Sequence, residues 1–221
     1  MIVLQTEHFV NKNVTNSFSL GTKAKVVNIK DYISKPNDTI ASYGILRGVG
    51  DVLKNANNFF YLDHGYIKSS SRTFSNGATN IENLNGYFRI VHNDFIGFEI
   101  KKYDSSRLEK LKLEFSPLRT SGEYIILSEP SVSMKNFYKI HNWVDETIKE
   151  ITKYTDRKIF VHNKYSKIPL DILLDKAWAF VSFQSTAGFK SMIKGVPAHF
   201  THKNLEKINS TANIEKGKIT N

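Results

Sequence analysis

Residues 178–200 constrain the fold of this chain more than any other stretch. They open with an apolar run, residues 178–183, far short of the roughly 20 residues of a membrane-spanning helix. That run reads as a strand covered on both faces, the environment of a parallel sheet. Ser185-Thr186-Ala187-Gly188 then turns the chain into a short helix starting near Ala187, and Gly195-Val196-Pro197 leads into another strand. This order points free helix N–H groups at a ligand beyond the strand's C-terminal end, where they suit a phosphate. The hydroxyls of Ser185 and Thr186 would be further donors. Ser and Thr are equally the ordinary N-caps of helices, so the motif alone leaves the ligand open.

The alternation extends upstream. Residues 124–127 read as a strand and 128–133 as a loop with an N-cap. Residues 134–154 read as one long amphipathic helix, with Phe137, Ile140, Val144, Ile148 and Ile151 in steps of three and four. A strand at 158–161 and a short helix at 170–176 follow. The resulting β-α-β-α-β-α-β order implies a parallel, Rossmann-like sheet with right-handed crossovers. The first half is less regular but similar in kind. Strands are expected at 2–5, 24–29, 39–43, 58–62 and 87–92, and a helix weakened by Gly48 and Gly50 at 46–56. A polar Ser/Asn/Gly segment at 67–86 reads as a long functional loop, and 101–122 as a charged connector. The expected division is a lobe of residues 1–116, a lobe of 117–205 and a polar basic tail of 206–221.

With 221 residues, 40% hydrophobic and 24% charged, the chain can bury a sizeable core without staples. It has no cysteine, which excludes disulfides, thiolate zinc sites and cysteine nucleophiles. No leader-like or membrane-spanning segment is visible, and the expectation is a soluble, cytoplasmic protein. A net charge of +10 suggests a polyanionic partner, such as nucleic acid, an anionic glycan or a lipid surface. The basic residues are dispersed, so solvated lysines around a phosphate pocket explain the charge as well.

Taken together, Pro117-Leu118-Arg119, residues 122–127, Trp143-Val144-Asp145-Glu146, His162-Asn163-Lys164, Ala177-Trp178-Ala179, residues 185–188 and Gly195-Val196-Pro197 resemble the nucleotide-binding lobe of two-domain GT-B glycosyltransferases. The likeness is in particular to compact capsular-polysaccharide-type and phage-encoded sugar transferases. Tyr43-Gly44, Arg47-Gly48, residues 62–66 and Tyr87-Phe88-Arg89-Ile90 resemble the acceptor-side lobe more loosely. The resemblance implies a reduced GT-B architecture: two Rossmann-like lobes with parallel sheets and a cleft between them. One departure is that Lys190 stands where the family commonly carries a ribose-holding glutamate.

Sugar transfer needs a stabilised diphosphate leaving group and a base for the acceptor's proton. Donor and phosphate contacts are expected from His162, Lys164, Ser185, Thr186, Ala187, Gly188 and Lys190. Asp63, then His64, are the expected bases, since a strand delivers both to the turn at Gly65. Asp-X-Gly is also a common turn, and His162 is equally a surface-loop histidine. Gly44, Arg47, Tyr66 and Arg89 are expected on the acceptor side, with Arg89 alternatively pairing with a carboxylate. Glu7 and His8 are a further acid–base pair after the first strand. No Asp-X-Asp pair occurs, and His199 and His202 are too isolated to suggest a metal.

The function expected is therefore a metal-independent glycosyltransferase with a UDP-, GDP- or CMP-sugar donor and no required cofactor. Its acceptor is expected to be polyanionic, in first place a modified base in phage DNA and in second a capsular or surface glycan. A non-catalytic nucleotide- or polyanion-binding protein, and a hydrolase or phosphatase of the same fold, remain open, because a strand-turn-helix design does not define chemistry.

Overall fold

The computed structural model describes residues 1–68, 71–75, 78–83, 86–97, 102 and 104–209, and for 71–75, 78–83 and 107 only the course of the backbone. The chain divides into two compact units, Met1–Gly97 and Phe98–Asn221. The first contains β1 (Ile2–Gln5), α1 (Phe9–Thr22), β2 (Lys25–Asn28), β3 (Thr39–Tyr43), α2 (Val49–Lys54), β4 (Asn58–His64), β5 (Ser71–Ser75), β6 (Ala78–Asn83) and β7 (Phe88–His92). The second contains α3 (Ser106–Lys110), β8 (Tyr124–Ser128), α4 (Val132–Tyr138), α5 (Trp143–Ile151), β9 (Lys158–His162), α6 (Leu170–Leu174), β10 (Ala177–Ser182), α7 (Thr186–Ile193), β11 (Ala198–Phe200) and α8 (Glu206–Asn209).

Each unit is an α/β layer built on a parallel sheet. In the first, the order is β2-β1-β3-β4-β7, with the first four strands parallel and β7 antiparallel to β4. Successive residues feed opposite faces of this sheet, as strand geometry requires. Leu4, Ile40 and Tyr61 pack with Val49 and Leu53 of α2, while Val3, Ala41 and Leu62 pack with Val10 and Val14 of α1. In the second unit, β11-β10-β8-β9 is wholly parallel. Ile125, Leu127, Ala179 and Val181 meet Trp143 and Ile151 of α5 there. Every residue of β10 is buried, as its unbroken apolar run predicts.

Four expectations are corrected. The long helix over 134–154 is two helices, because Lys139 adopts a left-handed conformation (φ 58°) that stops α4. The apolar face survives the break, since Ile140, Val144 and Ile148 still pack against the α5 cluster. The helix expected from residue 46 starts at Val49, because Arg47 and Gly48 both have positive φ. The loop at 67–86 contains the antiparallel pair β5 and β6. Finally, α1 was not expected at all. Of the basic tail, 206–209 form α8, and residues 210–221 lie outside the described residues.

At the open side of β11, the Asn209 carboxamide of α8 accepts the Phe200 N–H and donates to the Phe200 carbonyl, both at 2.8 Å. The neighbouring His199 is buried, and burial pushes its imidazole down to about 4 from the ordinary 6.5. The unfolded chain therefore binds this proton more readily than the folded one below pH 6.5. Stability should be full above that pH and fall by up to about 3 kcal/mol as the pH drops toward 4. His199→Leu should flatten the acid limb of a pH series of urea midpoints, and an unchanged limb would remove His199 as its cause.

Candidate functional site

The chain order of the second sheet creates a switch point. From β8 the chain passes through α4 and α5 to β9 on one side, and from β10 through α7 to β11 on the other. The loops after β8 and β10 therefore diverge beyond the C-terminal ends of those two strands, the place where open α/β sheets bind ligands. Glu129 and Ser131 follow β8, and Gln184 and Ser185 follow β10.

Ser185 caps α7. Its Oγ accepts the Ala187 N–H at 3.2 Å, and its own N–H donates to Ser182 Oγ at 3.3 Å. Thr186 is exposed at the first helical position, and the Gly188 N–H returns to the Ser185 carbonyl. Gly188 itself serves packing, since a Cβ there would lie 2.5 Å from Phe200 Cζ. Beside the cap, Gln184 Oε1 is buried and has no hydrogen-bond partner among the described residues, while its Nε2 has only Met134 Sδ at 3.8 Å. An unpaired buried carbonyl oxygen costs about 1–3 kcal/mol, so Gln184 marks a strained or ligand-directed position.

The loop after β8 and α4 carry an ion pair. Lys135 Nζ donates to Glu129 Oε1 at 2.5 Å and Asn163 Nδ2 to Oε2 at 3.1 Å, and these two contacts hold the Glu129 carboxyl below the usual carboxylate range. His162 Nε2 lies 3.3 Å from the Ile168 carbonyl, and Lys164 Nζ stands 4.9 Å over the Tyr165 ring. Both residues are two strands from Ser185, about 10 Å by strand spacing. Lys190 turns instead to Asp171 of α6 at 2.6 Å, a carboxyl whose pKa Lys190, opposed by some burial and helped by Lys194, draws downward. Gln184, Glu129 and Lys135 were missed from sequence. Only the adjacency of Gln184 to the Ser185 turn signalled it.

The first sheet repeats the design, with its switch point between β1 and β3. The buried Asn11 spans it, Oδ1 accepting the Thr6 N–H and Nδ2 donating to the Tyr43 carbonyl, both at 2.8 Å. Glu7 beyond β1 is held by Lys12 and Asn28, which lower its pKa. Four of the expected residues come together on β4 and β7. Asp63 Oδ2 accepts from Arg89 Nη2 and from the Tyr61 hydroxyl, each at 2.8 Å, and Oδ1 accepts the His64 N–H. The Arg89 guanidinium stacks 4.5 Å over the Tyr66 ring. Burial pushes the Tyr66 phenol up. It also works against the Arg89 charge, but Asp63 and the two tyrosines outweigh it and raise the Arg89 pKa.

His64 Nε2 pairs with the Tyr43 hydroxyl at 2.8 Å, and the ring stacks on Phe88. Gly65 is required here, since a Cβ would meet the Tyr87 carbonyl oxygen at 2.8 Å. Gly44 (φ 77°) and Arg47 (φ 60°) shape the loop after β3 without joining this network in any described contact. Among the described residues, no group of three or more His, Cys, Asp or Glu side chains is arranged to hold a metal ion. No described helix is long and apolar enough to cross a membrane.

No known family model matches the chain, and no curated protein matches it. Among solved structures it is similar to KpsC of Thermosulfurimonas dismutans, a beta Kdo 2,7 transferase. The identity is 14% and the TM-score 0.49, over 100% of this chain and 86% of that one.

Proposed function

We propose that the chain is a glycosyltransferase that takes a sugar from a nucleotide-sugar donor held at the C-terminal edge of the second unit's sheet. The observation that carries this reading is the Gln184-Ser185 step at the switch point, where a capped helix N-terminus adjoins a carboxamide oxygen lacking a partner among the described residues. The motif resemblance over residues 117–200 supports it. The Thr186 hydroxyl at the α7 N-terminus would receive the diphosphate as its bond to the sugar breaks, the Ala187 and Gly188 N–H groups being held by Ser185, and His162 and Lys164 would reach it only from two strands away. The acceptor's proton is assigned to His64 ahead of Asp63, because three donors already occupy the Asp63 carboxylate. A modified DNA base as acceptor rests on the charge of +10, and a capsular or surface glycan is the competing acceptor.

Thermal-shift measurements with CMP-, UDP- and GDP-sugars test the donor site. One of them should raise the melting temperature, since a ligand at 100-fold its Kd adds about 2.7 kcal/mol. Gln184→Ala and Ser185→Ala should each shrink that rise, while His64→Ala should keep it and lose transfer. If no nucleotide sugar moves the melting point, the donor site is refuted. DNA binding that stays weak and flat from low to moderate salt would remove the DNA acceptor alone.

A further inference from the structure

The segment that follows β9 exposes apolar side chains that no part of the donor reading uses. Tyr165 is 80% exposed, Ile168 48% and Ile172 60%. They lie along the single segment that leads from the end of β9 into α6. Tyr124 touches the Phe160 ring at 4.6 Å and donates its hydroxyl to the Leu173 carbonyl at 2.9 Å, so α6 runs beside Phe160 on that face of the sheet. The contact of His162 with the Ile168 carbonyl brings residue 168 back to the end of β9.

The turn is also well fixed. Asn163 N–H donates to Ser166 Oγ, Ser166 N–H to the Asn163 carbonyl, and Tyr165 N–H to Asn163 Oδ1. Tyr165 is thus held at its tip as a ring that is apolar along its body and polar at its end.

The charge around these residues is mixed, with lysine in excess. Lys158, Lys164 and Lys167 flank them, while Asp171 of α6 is already bound by Lys190 and Lys194, and Asp175 faces Lys194 at 3.9 Å. A nucleic acid would use the lysines and leave the isoleucines in water. A bilayer with anionic headgroups uses both, the lysines at the phosphates and the aromatic and aliphatic tips at the acyl boundary.

We infer that Tyr165, Ile168 and Ile172, together with Lys158, Lys164 and Lys167, form a peripheral docking surface for anionic phospholipid membrane. Lys164 is common to this surface and the proposed donor site, while Tyr165, Ile168 and Ile172 belong to this surface alone.

Flotation of the full chain with phosphatidylcholine vesicles, with and without phosphatidylglycerol, tests it. The chain should float with the anionic vesicles and not with the neutral ones. The triple variant Tyr165→Ser, Ile168→Ser, Ile172→Ser should lose about tenfold or more of that binding, and Lys158→Gln with Lys167→Gln, which spares the donor-site Lys164, a smaller share. Each variant should keep the wild-type melting temperature, because the side chains replaced are exposed. Absence of binding to either vesicle overturns the inference. So does binding that the triple serine variant retains in full, which would reduce it to general charge, and so does duplex DNA binding without vesicle binding.

Discussion

Arg89→Ala should lower the unfolding free energy by about 3–5 kcal/mol, the usual result of removing one partner from a buried ion pair. The Arg89 side chain is 14% exposed and its guanidinium lies 2.8 Å from Asp63, 4.5 Å over the Tyr66 ring and 5.9 Å from the Tyr61 ring centre. Its removal leaves the Asp63 carboxylate with only the Tyr61 hydroxyl and the His64 N–H. Because Asp63 keeps some access to water, the loss belongs toward the lower end of the range. Arg89→Lys should recover little, since a point charge restores neither the fork geometry nor the stacking on Tyr66. Urea denaturation of the two variants measures this. A variant that kept the wild-type midpoint but lost transfer would return Arg89 to the acceptor-binding role.

Gly195→Ala should be nearly as damaging, at about 2–5 kcal/mol, and for two reasons that separate experimentally. Its φ of 74° strains any residue with a Cβ by about 1–2 kcal/mol. That Cβ would also lie 2.0 Å from the Pro117 carbonyl oxygen, a backbone atom that cannot rotate aside, in a segment tied down by Ser116 and Arg119 N–H bonds to Ile193 and Gly195. Gly44 isolates the first cause. Its φ is 77°, yet a Cβ there would meet nothing within 4 Å. Gly44→Ala should therefore show the strain alone, and equal urea midpoints for the two variants would mean that the contact with Pro117 yields.

What the sequence made legible was whatever its local period encoded. The buried run of β10, the Ser185 turn and the Gly195-Val196-Pro197 entry into β11 follow from short-range chemistry, and the alternation around them dictates the parallel sheet. α1 escaped because its apolar positions, Val10, Val14 and Phe18, are sparse and share their stripe with the polar Asn11 and Thr15, so the helical period is weak. Those polar residues are buried because they make tertiary hydrogen bonds, Asn11 to both β1 and β3, and no local pattern announces them. The break at Lys139 was hidden for a related reason: a left-handed lysine carries no signal until the Ile140 N–H bond to the Lys135 carbonyl closes the turn. At the site, residue types were legible but partners were not. Asp63 reads as a free carboxylate in sequence and becomes an occupied one only when β7 delivers Arg89 alongside β4.

The Asn209 carboxamide offers Phe200 the same donor and acceptor that a peptide unit of a neighbouring strand would offer. It stands in for one residue of a fifth strand and denies that place to any other chain. Exposed strand edges invite self-association, and natural sheets blunt them with covers of this sort. Among the described residues, loss of Asn209 would leave the Phe200 N–H and carbonyl without this cover.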